Sequence, residues 1–429
     1  MTTILRRVVA GMGANAFGQS VSVGIQLLSL PIFLHHWSTS TYGAWLLISA
    51  IPAYLSMSDI GMVPAVGNRM TIAMGRNDAE KATVLLQSAT AMLSIVCAAM
   101  ALILIPTFVS IPLPGNQELD SRIALIALSL GIFASLFGGL AEAVFRAISK
   151  YPLGASLGNV VRLVEWLGAL IGLAIGGNFA SVALGSFTAR LLGTVMLIVI
   201  ARSSAREIKW GIRFAHLAEI KALLKPALAF TLFPIANALS FQGITLLVGT
   251  LVGPTAVTIF SAYRTIARVA VQVSGTFGSA LWPEFSHLFG RGGVSAINAL
   301  YLRSARISSV AAAALSIALF VSGPLLLKLW TGGAILFDRK LMALMLVYSA
   351  VGGSWHIPRT LLMATNHHTR LAKWALIMGI AVVALAAPAG CKFGLSGIAV
   401  AMLVVESAIA AICFRLAKNF LRSSNLLME

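Results

Sequence analysis

Apolar stretches long enough to cross a bilayer recur along the whole chain, with short polar punctuation between them. A helical span needs about 20 mainly apolar residues, and about twelve stretches meet that length. They are Gly11–Leu34, Gly43–Val66, Ala82–Val109, Ile123–Phe145, Leu153–Ile175 and Phe179–Ala201 in the first part of the chain. Leu223–Val248, Thr255–Leu281, Ile307–Leu329, Leu341–Met363, Leu371–Ala389 and Leu395–Leu416 follow. The composition agrees: 59% of residues are hydrophobic and 10% charged, against roughly 25% charged in soluble domains. The fold class is therefore all-α, a polytopic membrane protein with about 12 transmembrane helices.

The net charge is +18, which on a soluble protein would suggest nucleic acid. Here the basic residues alternate between connections. Arg6/Arg7, Arg69/Arg76/Lys81 and Arg146/Lys150 mark one set, followed by Arg202, Arg206, Lys209, Arg213, Lys221 and Lys225. Arg291/Arg303/Arg306, Arg370/Lys373 and Arg415/Lys418/Arg422 complete it, while the intervening connections hold only Arg122, Lys328, Arg339, Lys340 and Lys392. This is the positive-inside pattern with both termini cytoplasmic, and it removes nucleic acid as a partner. The first apolar run is too long for the core of a signal peptide, so it is expected to remain as a span. Cys97, Cys391 and Cys413 show no spacing for a disulfide framework or a metal site.

The longest hydrophilic connection, Arg202 to Lys221, separates two halves with six spans each. The expected division is residues 1–212 and 213–429, each a six-helix bundle. The halves share weak similarities. Ser38-Thr39-Ser40-Thr41-Tyr42-Gly43 and Gly253-Pro254-Thr255-Ala256 occupy equivalent connections, as do Met74-Gly75-Arg76-Asn77-Asp78 and Phe289-Gly290-Arg291-Gly292-Gly293. Both halves have an even number of spans, so the implied repeat is parallel, with its axis along the membrane normal. No outer connection is long enough for an external catalytic domain.

Five arginines, Arg162, Arg190, Arg264, Arg268 and Arg359, fall inside stretches that otherwise read as spans. A cation in hydrocarbon is costly, so such residues normally face a wet or protein-lined interior and mark a transport path. In the first span Asn15, Gln19, Ser22, Gln26 and Ser29 recur at gaps of four and three, which puts them on one helix face. Ser49, Ser56 and Asp59 share a face of the second span. Thr231, Pro234, Asn237 and Phe241 follow helical spacing in the seventh, and Ser261, Arg264, Arg268, Gln272, Gly275 and Ser279 form one stripe on the eighth. Polar residues in spans also simply bond neighbouring helices, at about 0.6–2 kcal/mol each. Their register on the first two spans of each half favours a cavity lining. Arg264 and Arg268 stand one turn apart and repel each other, so an anion or a buried carboxylate is expected between them.

Glu142, Glu165, Glu406 and Asp59 are the acids at depth. Arg162 and Glu165 have the spacing of a local ion pair, as do Glu142 and Arg146. Arg190 is placed to reach Glu165 or Glu142. Glu406 has no sequence partner and reads as a proton or cation site, or as the partner of a distant arginine; Asp59 carries the same choice between ion coupling and structure. His356, Pro358 and Arg359 cluster on the tenth span. No phosphate loop, nucleophile elbow or zinc-binding histidine pair is present, so neither an enzyme nor a cofactor is expected.

With these features the chain resembles the multidrug/oligosaccharidyl-lipid/polysaccharide (MOP) exporter superfamily, and within it the polysaccharide-biosynthesis flippases of O-antigen type. Tyr42-Gly43-Ala44-Trp45, Ser58-Asp59-Ile60-Gly61-Met62 with Asn68-Arg69, and Trp282-Pro283-Glu284 with Gly290-Arg291-Gly292 carry the resemblance. It implies a V-shaped pair of six-helix bundles around a central cavity. It also implies a bacterial inner-membrane flippase that moves a polyprenyl-diphosphate-linked oligosaccharide to the outer leaflet, alongside membrane lipids and a glycan polymerase or glycosyltransferases. Asp59, Gly61 and Arg69 match the family's own pattern. Arginines suit a diphosphate through charge and forked hydrogen bonds. Arg264, Arg268 and Gln272, with Arg162 and Arg359 assisting, are the expected head-group ligands; Asn15, Gln19 and Gln26 suit sugar hydroxyls. The rival expectation is a cation- or proton-coupled multidrug antiporter on the same fold.

Overall fold

The computed structural model describes residues 3–56, 61–110, 118–222, 235–290, 294–365, 367 and 369–426. All the regular structure among them is helical. The helices are α1 Thr3–His36, α2 Thr39–Leu55, α3 Met62–Gly75, α4 Ala79–Ser110, α5 Glu118–Ala147, α6 Tyr151–Gly176 and α7 Phe179–Ser204. Then come α8 Ile235–Leu251, α9 Pro254–Gly290, α10 Val294–Thr331, α11 Arg339–Ser354, α12 His356–Ala364 and α13 Thr369–Leu426.

Among the described residues eight helical stretches are long and apolar enough to cross a membrane, counting α11 with α12 as one. The last of these covers two of the expected spans, because α13 breaks at Gly394 (φ 57, ψ −142), a backbone conformation open essentially to glycine alone. With the α2–α3 pair, α8 and α9, the described residues are consistent with about twelve spans, as hydropathy predicts. Two of those spans are less simple than expected. The second is not one continuous helix: α2 ends at Leu55 and α3 starts at Met62, after Gly61 at φ 69. The tenth is interrupted at Trp355 (φ −95, ψ 4), which separates α11 from α12.

The chain forms two compact units. The first contains residues 1–36 and 44–234, and the second residues 37–43 and 235–429. In the first unit, Met62, Val66 and Met70 of α3 bury against Leu85, Leu86 and Leu93 of α4 and Leu140, Val144 and Phe145 of α5. Close approach sets α6 against α7: a Cβ at Gly168 would overlap the Gly185 carbonyl, and one at Gly172 the Ser181 carbonyl. Small residues four apart allow this, as at many membrane helix crossings. The amino end of α7 is held twice. Asn178 accepts from Ser181 N–H, and Asp120 of α5 accepts from the amides of Phe179 (2.9 Å) and Ala180 (2.8 Å). These bonds satisfy amides that a helix start leaves unpaired.

The second unit centres on Phe285, Ile297, Tyr301, Ile357, Leu361, Leu371, Ile409 and Cys413. Its short early segment explains the Tyr42-Gly43 pair. Tyr42 is buried, and a Cβ at Gly43 would overlap the carbonyl oxygen of Pro254 at the start of α9. Thr258 of α9 adds a bond to the Thr39 carbonyl at 2.7 Å. Asp338 caps α11 through the amides of Lys340 and Leu341.

Candidate functional site

In the first unit the polar face of α1 meets α6. Tyr151 donates to Asn15 Oδ1 at 2.9 Å, Arg162 to Ser22 Oγ at 2.9 Å and Trp166 Nε1 to Ser29 Oγ at 2.9 Å. Partners rise together along both helices, so α1 and α6 run parallel here, as the first and fifth spans of one half should. Asn15, Gln19, Gln26 and Arg162 also keep exposed surface. The result is a polar seam whose inner groups bond between helices while amides and a guanidinium remain open beside it.

Of the expected partners in this unit, the cross-helix Arg190–Glu165 pair forms in place of the local Arg162–Glu165 one. Arg162 reaches across to Ser22, and Glu165 pairs instead with Arg190 of α7 at 3.0 Å. Arg146 lies over the ring of Tyr151 at 5.6 Å. Glu142 packs against Gly158, where any Cβ would overlap its carboxylate. Helical spacing identifies who can meet along one helix, but here the neighbouring helices offer the closer partners. Arg69 pairs with Glu219 at 3.6 Å, and Lys81 shares that carboxylate at 2.6 Å. Asp59 lies outside the described residues, as do Thr231 and Pro234.

The second unit holds the arginine pair. Within α8 the stretch Leu239–Gly243 is a π-helical turn. Such turns shift the hydrogen-bond register and turn carbonyls toward other donors. Arg264 of α9 donates to the Phe241 carbonyl at 3.0 Å and to Thr245 Oγ1 at 2.9 Å. Its guanidinium carbon stands 3.8 Å from the Phe241 ring centroid and 5.5 Å from that of Phe260. Arg268 approaches the same Phe241 ring at 4.9 Å. Arg264 is only 6% exposed, whereas Arg268 and Gln272 are half-buried. Among the described residues no carboxylate lies within ion-pair distance of Arg264 or Arg268.

The two guanidiniums therefore differ in kind. Arg264 is enclosed by a carbonyl, a hydroxyl and two rings, and it locks α9 to the π turn of α8. Arg268, one turn on, keeps surface and has no acidic partner among the described residues. A ring face attracts both cations, which lets two like charges share one neighbourhood without a carboxylate between them.

Glu406 of α13 accepts from Trp355 Nε1 at 2.8 Å and lies against Gly352. Trp355 is the residue that interrupts the tenth span, so Glu406 bonds at the break itself. Arg359 lies over the Trp355 ring at 5.9 Å and within electrostatic range of Glu406. His356 Nδ1 is 2.9 Å from the Gly352 carbonyl.

Sequence reasoning missed Trp355, Thr245, Tyr151 and Trp166. Trp166 and Tyr151 bear polar tips that need a partner when buried, a signal that was available. The π turn had none.

Among families, the chain matches the model described as "Polysaccharide biosynthesis protein" over residues 8–289. No curated protein has a sequence that matches this chain. Several solved structures share the fold at low identity. One is an inward-facing multidrug resistance MATE family transporter of the MOP superfamily, with TM-score 0.72, 13% identity and 94% and 95% of the two chains covered. An outward-facing MATE family transporter gives TM-score 0.66 at 14% identity, with 97% and 96% covered. A MOP superfamily transporter from Pyrococcus furiosus, described as having a binding pocket of reverse polarity, gives TM-score 0.65 at 13% identity, with 98% and 96% covered.

Proposed function

The chain belongs to the polysaccharide biosynthesis protein family, and from that membership we propose that it is a flippase for a polyprenyl-diphosphate-linked oligosaccharide. It moves the head group from the cytoplasmic to the outer leaflet of a bacterial inner membrane by alternating access, with both termini cytoplasmic. The observation that supports this reading is the Arg264–Arg268 pair without a carboxylate partner among the described residues. Two cations one turn apart still repel each other, and an incoming anion relieves that repulsion at the partly exposed Arg268. A diphosphate supplies charge and several acceptor oxygens matched to guanidinium donors.

Arg268, with Gln272 beside it, takes the diphosphate, and Arg264 fixes the surface from which Arg268 projects. Arg359 assists from α12. In the first unit Arg162, Asn15, Gln19 and Gln26 take sugar hydroxyls or charged sugar groups. The inside-negative potential drives the anion outward, at about 4–5 kcal/mol for two charges across 100 mV. Coupling through Asp59 or Glu406 is the competing energy source. Collapsing the potential while keeping the proton gradient slows flipping in the first scheme and leaves it unchanged in the second.

A multidrug antiporter of the same fold needs carboxylates facing a cationic drug, and the arginine pair offers the opposite charge. Deletion of the gene followed by analysis of lipid-linked intermediates tests the reading. Accumulation of the lipid-linked glycan in the inner leaflet, with loss of surface polymer, is the expected result. Intact surface glycan together with new drug sensitivity would replace the flippase with the antiporter.

A further inference from the structure

Residues 205–222, within the longest hydrophilic connection of the chain, form a strap that is irregular to residue 216 and helical over 217–222, fastened to the first turns of α4. Gln87 Nε2 donates to the Lys209 carbonyl at 3.0 Å, and Gln87 Oε1 accepts from Phe214 N–H at 2.7 Å. Thr83 Oγ1 accepts from Lys209 N–H, and Ser88 Oγ from His216 N–H. These side chains are buried, so α4 spends its polar groups on holding this backbone. Glu219 of the strap is taken by Lys81 and Arg69. Ala205 and Ile208 turn inward and are buried.

The outward face has a different chemistry. Arg206, Lys209, Arg213 and Lys221 are exposed, with Arg202 at the end of α7 beside them; within the strap Glu207 is the one exposed acid. Interleaved with these cations are Ile212 at 62% exposure, Phe214 at 43% and Leu217 at 65%. Lipid explains bare apolar side chains within spans, but Ile212 and Phe214 lie in the non-helical part of the strap, with Leu217 at the start of the helical turn that follows, and they call for a covering surface. The turn closed by Ala215 N–H to the Ile212 carbonyl (3.1 Å) puts Arg213 and Phe214 at its corner, with the guanidinium 5.8 Å from the ring.

We propose that this strap is a docking surface for the acidic phospholipid head groups of the bilayer around the protein. Cations meet lipid phosphates while Ile212, Phe214 and Leu217 enter the acyl boundary, the division of labour of interfacial segments. The strap follows directly on α7, a helix long and apolar enough to cross the membrane, so the head-group layer is the surface within reach. The bonds from α4 hold the cations in place in advance. This surface is separate from the arginine pair, and it stands whatever the cargo is.

The test uses the full chain in nanodiscs and native mass spectrometry, comparing retention of phosphatidylglycerol with that of phosphatidylcholine. Selective retention of phosphatidylglycerol is expected. Arg206→Gln/Lys209→Gln/Arg213→Gln lowers its affinity about 100-fold, at about fivefold per cation. Ile212→Ser/Leu217→Ser lowers it with every charge intact. The charge-matched control Arg415→Gln/Lys418→Gln/Arg422→Gln, on exposed positions of α13, leaves it within about twofold, since these positions have no apolar interleaving of this kind. Thermal unfolding in neutral detergent checks folding; should the triple variant unfold, Arg213→Gln alone carries the fivefold loss. Equal losses from strap and control, or no loss from the strap, overturn the proposal. Strap-dependent retention of a protein partner with no lipid selectivity overturns it as well.

Discussion

Arg264 donates to the carbonyl oxygen of Phe241 at 3.0 Å while its guanidinium carbon stands 3.8 Å from the ring of the same residue. One arginine thus satisfies a carbonyl of the π turn and covers the aromatic side chain beside it. Arg268 reaches the same ring at 4.9 Å. Phe241 is the common neighbour that lets two cations stand one helical turn apart.

Arg264→Ala leaves the Phe241 carbonyl and Thr245 hydroxyl with one donor fewer and removes the ring contact. A loss of about 2–4 kcal/mol is expected, read as a fall in the unfolding temperature in detergent. Arg264→Lys recovers only part, because an ammonium cannot reproduce the forked contact. An unchanged unfolding temperature for Arg264→Ala would remove its role as the lock between α8 and α9.

Arg268→Ala gives the opposite split. Its guanidinium has no carboxylate partner among the described residues, so stability changes little. Flipping falls about 10–100-fold, the equivalent of about 1.5–3 kcal/mol for a hydrogen bond to a charged group. Arg268→Lys restores some of it. Quantifying surface glycan and lipid-linked intermediates in the same cells checks the outcome.

Glu406→Gln keeps an oxygen to accept from Trp355 Nε1, so the α11–α12 break survives and the unfolding temperature stays close to that of the parent. Glu406→Ala leaves the indole N–H without its acceptor and costs about 1–3 kcal/mol. Flipping by Glu406→Gln separates the energy schemes: it persists if the potential alone drives export and stops if this carboxylate carries the coupling ion.

Gly43→Ala places a methyl where the Pro254 carbonyl oxygen already sits. The helices must separate, at a cost of about 1–3 kcal/mol, and the level of protein inserted in the membrane falls. A full yield of stable Gly43→Ala protein would show that the approach of Pro254 is not needed.

The spans and their order were legible because bilayer thickness fixes how long an apolar run must be. The stripe on α1 was legible too: Asn15, Ser22 and Ser29 all bond residues of α6. Charge partners were not, since spacing along one helix says nothing about the neighbour that arrives from another. Arg190 is one of two arginines that the sequence offers Glu165, and packing, not spacing, decides for it over Arg162. Nor did any residue pattern mark the π turn at Leu239–Gly243 or the break at Trp355, where Arg264 and Glu406 make their bonds. The sequence singled out Arg264 and Arg268 as one pair; their different burial is a property of packing.

The most direct test reconstitutes the protein in liposomes with a polyprenyl-diphosphate oligosaccharide, and separately with the same glycan on a neutral lipid. Flipping of the diphosphate form alone, lost in Arg268→Ala and partly regained in Arg268→Lys, is the predicted result. Equal transport of both lipids, or undiminished transport by Arg268→Ala, would contradict it.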